Sequence, residues 1–225
     1  MSDEIARADA ENWLARWREG RTNFHQDAPS PMLVEFWGAI GVPREARVFV
    51  PLAGKSVDMP WLAEQGYAVF GVELAELAVE QFFAEQRLDA EVEQTRNGPL
   101  WRSGPIDLWC GDVFALDAQD LADCGAVFDR AAIIALPPGL RRRYAQEVYA
   151  KLPRGCVGLM ITLEFPEHQK PGPPFSVREA EVRDLFEPDW SVDVLVRRDI
   201  LAYQDSFRNE GVTALHAVAY RLQRR

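Results

Sequence analysis

Residues 48–73 read VFVPLAGKSVDMPWLAEQGYAVFGVE, and the order of residue types in this stretch sets the fold class. Arg47 to Leu52 is a short apolar run with the length and β-branched content of a buried strand. Ala53 and Gly54 make a small-residue turn. Ser56 is a candidate N-cap, Asp58 falls in the first helical turn, and Pro60 is early enough to be tolerated. That helix is predicted to run to about Gln65, with Gly66 closing it. Ala68 to Val72 is a second apolar strand, and Glu73 ends it. Strand, turn, helix and strand in so few residues imply two parallel strands joined by a crossover helix. The GKS triplet invites a phosphate-binding reading. A Walker loop, G-x-x-x-x-G-K-[ST], would need glycine at position 49. Phe49 stands there, inside the strand, so a nucleoside-triphosphate loop is a weak reading.

The alternation continues outward. Helices are predicted over Leu74 to Glu85 and over Pro138 to Ala150. Strands are predicted over Ile106 to Cys110, Ala126 to Phe128 and Val157 to Leu163. Asp89 to Pro105 is polar and turn-rich; it has room for a strand or hairpin, but neither can be placed in it. Ser176-Val-Arg-Glu179 has the form of a capping box opening a further helix. Two late strands are expected near Ser191–Val196 and Thr213–Arg221. Upstream, Trp13, Leu14 and Trp17 share one helix face, Gly20 can end that helix, and Pro31 to Ala39 forms another. The pattern predicts an α/β fold with helices on both faces of a parallel sheet. Ligands in such folds bind at the carboxyl ends of strands, near the point where strand order reverses.

The residues at those strand ends are therefore the candidate site: Leu52, Gly54 and Lys55, then Glu73, then Cys110 and Asp112, then Asp129 and Arg130. Glu73 follows Leu52 by 21 positions. An acid at the end of the second strand suits hydrogen bonds to the vicinal hydroxyls of a ribose. An ordinary strand-end carboxylate is the competing reading. A dinucleotide site would need G-x-G-x-x-G to bring backbone against a pyrophosphate, and only Gly54 is present. A cofactor with ribose and adenine but no phosphate, such as S-adenosylmethionine, fits better than NAD. Asp112 in CGD is an adenine-side candidate, with a helix cap as its competitor.

The chain has 225 residues, a formal charge of -10 and a pI near 4.9. An acidic surface repels phosphate backbones and anionic bilayers, so neither nucleic acid nor membrane is an expected partner. No apolar run approaches the roughly 20 residues that span a bilayer, and the polar N-terminus lacks a signal-peptide core. Three cysteines, Cys110, Cys124 and Cys156, without C-x-x-C, suggest neither disulfides nor a zinc site, and no metal is expected. One cytoplasmic, monomeric domain over residues 1–225 is the expectation.

The stretches VFVPLAGKSVDMPWLAEQGYAVFGVELAELAVEQFF, CGDVF, VFDRAAIIALPPGLRRRYA and GPPFSV, with the opening ENWLARWREGRTNFHQDAPSP, resemble the thiopurine S-methyltransferases in their bacterial form. The resemblance covers nearly the whole chain. It implies a class I S-adenosylmethionine-dependent, Rossmann-like fold. Its sheet would be seven-stranded and mostly parallel, with an antiparallel terminal hairpin. Residues 1–40 would form a helical lid. Trp17 and Leu52 would line the cofactor pocket and Glu73 would bind the ribose. Arg130 would sit beside cofactor and acceptor as the catalytic group, and Phe24 beside the sulfur substrate. The chain has PLAGKS where PLCGKS is expected, so no thiol chemistry is essential at Ala53. The acceptor would be an aromatic or heterocyclic thiol, with selenium and tellurium compounds as further candidates.

Methyl transfer from a sulfonium to sulfur is an in-line displacement, and a heteroaryl thiol is largely thiolate near neutral pH. Alignment then matters more than proton transfer, and positioning can supply roughly 7–11 kcal/mol of barrier reduction. Structural readings stand beside these roles. Trp13, Trp17, Trp37 and Trp61 read as core, and only the resemblance moves Trp17 to the cofactor. Asp129 and Arg130 could form an ion pair, and Lys55 a solvated turn. His25 could serve as a base or lie on the surface, and Arg141, Arg142 and Arg143 read as a solvated helix face. A nucleoside-binding sensor and an NAD-type oxidoreductase remain alternatives on a similar sheet.

Overall fold

A computed structural model describes residues 2–22 and 25–225. Helix α1 (Ser2–Arg18) and helix α2 (Pro31–Phe36) precede the sheet. The strands are β1 (Arg47–Pro51), β2 (Ala68–Glu73), β3 (Glu91–Thr95), β4 (Gly98–Ser103), β5 (Ile106–Cys110), β6 (Ala126–Arg130), β7 (Val157–Glu164), β8 (Trp190–Asp199) and β9 (His216–Arg224). Helix α3 (Asp58–Glu64) joins β1 to β2 and helix α4 (Glu76–Gln86) follows β2. Helix α5 (Pro138–Glu147) precedes β7, helix α6 (Glu179–Phe186) precedes β8, and the short helix α7 (Asp205–Asn209) precedes β9.

The strands form one sheet in the order β3-β4-β5-β2-β1-β6-β7-β9-β8. From β5 to β7 every pairing is parallel, and β9 runs antiparallel between β7 and β8. The expected seven strands are present as β5 through β8 in that order. The sheet has nine strands because residues 91–103 add an antiparallel hairpin at the β5 edge. Strand β3, EVEQT, is exposed at all but its last residue. An edge strand with polar side chains on both faces carries no alternation to read.

Successive side chains of β1 go to opposite faces. Phe49 joins the layer that holds Phe70, Tyr144, Tyr149, Phe186 and Trp190, while Val48 and Val50 join Trp37, Met59, Leu62, Phe82 and Phe128. Both faces are covered, which is why β1 and β2 read as continuous apolar runs. Gly71 lets α3 lie close to the sheet. A Cβ there would stand 2.6 Å from Leu108 Cδ1 and 2.8 Å from Met59 Sδ.

Two local expectations are corrected. Ser176 and Glu179 form no capping box. The Ser176 hydroxyl accepts from the Phe165 amide at 3.0 Å, and the Glu179 amide donates to Glu164 Oε1 at 2.9 Å. The cap of α6 thus comes from the end of β7, which a local motif cannot show. Arg141 is not on a solvated face: it is buried, donates to the Ser176 carbonyl at 3.1 Å and pairs with Glu181 at 3.0 Å. Arg142 is exposed as expected and pairs with Asp184.

Candidate active site

The chain leaves β1 for β2 and β5 on one side, then returns to β6 on the other, so strand order reverses between β1 and β6. Leu52, Gly54, Glu73, Asp112 and Arg130 all fall at the carboxyl ends of β1, β2, β5 and β6, the rim where α/β sheets bind ligands.

The turn after β1 is held in a left-handed conformation, with φ of 47° at Leu52 and 54° at Gly54. Leucine in that region is costly and persists because its surroundings fix it. One fixing group is Glu73. Its Oε2 accepts the Gly54 N–H at 2.8 Å and its Oε1 accepts the Ala75 N–H at 2.8 Å. The carboxylate therefore ties the β1 turn to the start of α4. Burial pushes the Glu73 carboxyl upward in pKa, and the backbone donors of Ala75, Gly54 and Leu74 oppose that. Each carboxylate oxygen can accept more than one hydrogen bond.

Trp17 closes the turn from above. Its Cζ2 lies 3.4 Å from where a Gly54 Cβ would be, and it is 4% exposed, packed with Ala75, Ala78 and Leu14. Of the apolar face of α1 read from Trp13, Leu14 and Trp17, the last two thus meet the start of α4. Trp37 is core as expected, whereas Trp13 and Trp61 are only half-buried. Asp112 is exposed and accepts the Phe114 N–H at 3.0 Å through Oδ1. The cap reading of Asp112 holds, and Oδ2 remains for a ligand.

At β6, Asp129 and Arg130 turn apart. Asp129 is fully buried and accepts from Tyr144 at 2.8 Å, Tyr149 at 2.9 Å and the Ile133 amide at 3.1 Å. Desolvation raises its pKa against those three donors. Arg130 pairs instead with Asp58, Nη1 to Oδ2 at 3.4 Å. Asp58 also accepts the Ser30 N–H at 2.7 Å and the Ser56 hydroxyl at 3.0 Å. Sequence reading gave Asp58 only a place in a first helical turn. Its partners lie 28 and 72 positions away, so no local pattern marks them.

His25 is half-buried, and burial together with the Lys55 charge lowers its pKa, leaving a neutral imidazole at pH 7. Lys55 is not a solvated turn residue: it pairs with Glu85 and its side chain is 12% exposed. Phe24, the expected acceptor contact, lies outside the described residues. The thiols are poor nucleophiles: burial pushes Cys110 up to about 11 and Cys156 to about 12, and Cys124 higher still. Among the described residues, no group of three or more His, Cys, Asp or Glu is placed to hold a metal ion.

A cavity of about 410 Å³ opens at the opposite end of the sheet, under Arg47, Phe70, Arg102 and Asp123. Its charges are spent on each other: Arg47 pairs with Asp107 and Asp123, and Arg102 with Asp107. The strand-end rim, with its strained turn and buried carboxylates, is the candidate site.

Comparison with known proteins bears on the fold and the family. The 1,6-didemethyltoxoflavin-N1-methyltransferase of Burkholderia thailandensis, solved with S-adenosylhomocysteine, superposes with a TM-score of 0.68 at 16% identity, over 100% of this chain and 90% of that one. The fold is that of the S-adenosylmethionine-dependent methyltransferases. Within that class, the family model for thiopurine S-methyltransferase matches residues 8–225. The thiopurine S-methyltransferase of Xanthomonas axonopodis pv. citri is 54% identical over 217 residues, 96% of this chain and 100% of that protein. The one from Bordetella parapertussis is 52% identical over 216 residues, 96% and 99% of the two chains. The chain belongs to the thiopurine S-methyltransferase family.

Proposed function

We propose that this chain is an S-adenosylmethionine-dependent S-methyltransferase for aromatic and heterocyclic thiols of the thiopurine class, with selenium and tellurium compounds as further acceptors. The observation that carries the cofactor choice is the Glu73 carboxylate on the Gly54 N–H. A phosphate-binding turn offers that N–H to the ligand. Here a carboxylate occupies it and places negative charge where a pyrophosphate would lie. A phosphate-free ligand carrying a ribose and a positive charge suits the same place. Glu73 accepts the two ribose hydroxyls on its remaining lone pairs, Trp17 and Leu52 wall the pocket with Gly54, and Asp112 faces the adenine side.

When bound, S-adenosylmethionine supplies an electrophilic methyl group on a sulfonium. The protein's work is then to hold the acceptor sulfur in line and dry. Arg130 favours the thiolate over the thiol by its charge and orients a ring heteroatom. No base is required for an acceptor already ionised near neutral pH. The family position of Phe24 assigns it to the acceptor. Of the lid expected over residues 1–40, helix α1 keeps that role over a single catalytic domain, with Trp17 as the contact that closes on the cofactor turn, whereas Leu33, Trp37 and Ile40 belong to the core of the domain itself.

Calorimetric titration with S-adenosylhomocysteine, NAD and ATP in turn checks the cofactor class. Saturable binding of S-adenosylhomocysteine alone is expected. Binding of NAD or ATP in its place would overturn the assignment, and binding without methyl transfer to any thiol would leave a nucleoside sensor.

A further inference from the structure

Asp58 is 1% exposed and takes no direct place in the proposed pocket. Its carboxylate spends Oδ1 on the Ser30 N–H at 2.7 Å, and Oδ2 on the Ser56 hydroxyl at 3.0 Å and Arg130 Nη1 at 3.4 Å. The first two partners are neutral donors, which an amide side chain could satisfy as well. A buried carboxylate is costly unless a cation compensates it. The cation against it is Arg130, whose side chain keeps 24% exposure. A guanidinium has five N–H donors, so the contact with Asp58 leaves others for a ligand. The backbone beneath Arg130 is fixed by its neighbour Asp129, gripped by Tyr144, Tyr149 and the Ile133 amide. Without Asp58, the long arginine side chain would be fixed at one end only.

We infer that Asp58 is the positioning residue for Arg130, holding its guanidinium at the acceptor side of the pocket; this rests on the S-methyltransferase reading above. The ion pair also links the acceptor arginine to the segment entering α2 through Ser30, and to the cofactor turn through Ser56. One buried carboxylate thereby sets three parts of the rim relative to one another.

A double-mutant cycle separates positioning from mere structural support. Asp58→Asn keeps an acceptor for the Ser30 N–H and an amide for the Ser56 hydroxyl, and loses the attraction to the guanidinium. Asp58→Asn, Arg130→Ala and the double variant are compared with the unaltered chain. Two quantities are read: kcat/KM for 6-mercaptopurine, and acceptor Kd in protein saturated with S-adenosylhomocysteine. Asp58→Asn is expected to cost about tenfold in both when Arg130 is present, and under about twofold when Arg130 is alanine. Its S-adenosylhomocysteine Kd, which also verifies folding, stays within about threefold. Asp58→Glu, which keeps the charge, recovers most of the loss.

Ser30→Pro is the control for anchoring. Ser30 has φ of -55°, which proline adopts; the change deletes the N–H and also replaces the buried hydroxyl side chain, so Ser30→Ala is measured beside it and the difference between the two reads the N–H. That difference should be clearly smaller than the loss from Asp58→Asn. An equal cost of Asp58→Asn in both backgrounds, or a Ser30→Pro loss beyond that of Ser30→Ala as large, would show Asp58 to be an anchor and overturn the inference. An unaltered chain that binds no S-adenosylhomocysteine and methylates no thiol would instead sink the S-methyltransferase reading on which it stands.

Discussion

At the scale of single residues, the site is a set of charges whose partners are backbone groups or each other. Glu73 accepts two N–H groups at once. Glu73→Gln leaves an amide oxygen for one of them and turns an NH₂ toward the other. It also loses charge-assisted bonds to the ribose, worth about 1.5–3 kcal/mol each. S-adenosylhomocysteine Kd is therefore expected to rise tenfold or more, read by calorimetry; an unchanged Kd would remove Glu73 from the pocket. Arg130→Ala is expected to lower kcat/KM for 6-mercaptopurine by about 10²-fold, the scale for losing one fixed donor at a site of developing or residual charge. An aliphatic thiol, which must be ionised in the site, should lose more than a pre-ionised heteroaryl thiol. Equal kinetics for the variant and the unaltered enzyme would refute the role. Glu73 ends β2, and Gly54 and Asp112 follow the ends of β1 and β5, so the apolar strand runs alone mark all three as candidates. The contacts of Asp58 with Ser30 and Arg130 are not legible in the sequence, because only the folded chain creates them.

At the scale of elements, α1 sets opposing contributions against each other. It buries Trp17 and part of Leu14 against α4, yet it also half-buries Asp9. Burial pushes the Asp9 carboxyl from 3.8 up to about 6, with Arg16 opposing. The folded chain thus holds the Asp9 proton more tightly than the unfolded chain. That contribution to stability is complete below about pH 4 and is lost as pH rises through about 6. Asp9→Asn, always neutral, should stabilise the protein at pH 7.5 by about 1 kcal/mol, after discounting for solvent screening of a half-exposed group. It should change nothing near pH 4. Thermal unfolding at the two pH values reads the difference, and an equal shift at both would assign the effect to something other than titration. The elements also divide by legibility. The unit from β1 to β2 read clearly because its strands are buried on both faces and its helix sits between Ser56 and Gly66. Helix α6 exists where the sequence expects one but starts at Glu179 rather than just after Ser176, since its capping carboxylate, Glu164, arrives from another strand. The hairpin of β3 and β4 could not be placed, because its edge strand buries almost nothing. The arginine run on α5 read as solvated, but the packing of α6 on α5 buries Arg141 with Glu181 beside it.

At the scale of the molecule, a sheet covered on both faces sets a strained turn, a buried glutamate and a held arginine on one rim. Family membership extends over residues 8–225, while the acceptor rests on the chemistry of that rim. No helix among the described residues is long and apolar enough to cross a membrane. The measurement that bears most directly on the central claim is incubation of the unaltered chain with S-adenosylmethionine and 6-mercaptopurine, followed by mass spectrometry. S-methylated 6-mercaptopurine and S-adenosylhomocysteine should form in equal amounts and in step. Neither product, or S-adenosylhomocysteine without the methylated thiol, would contradict thiol methylation at this site.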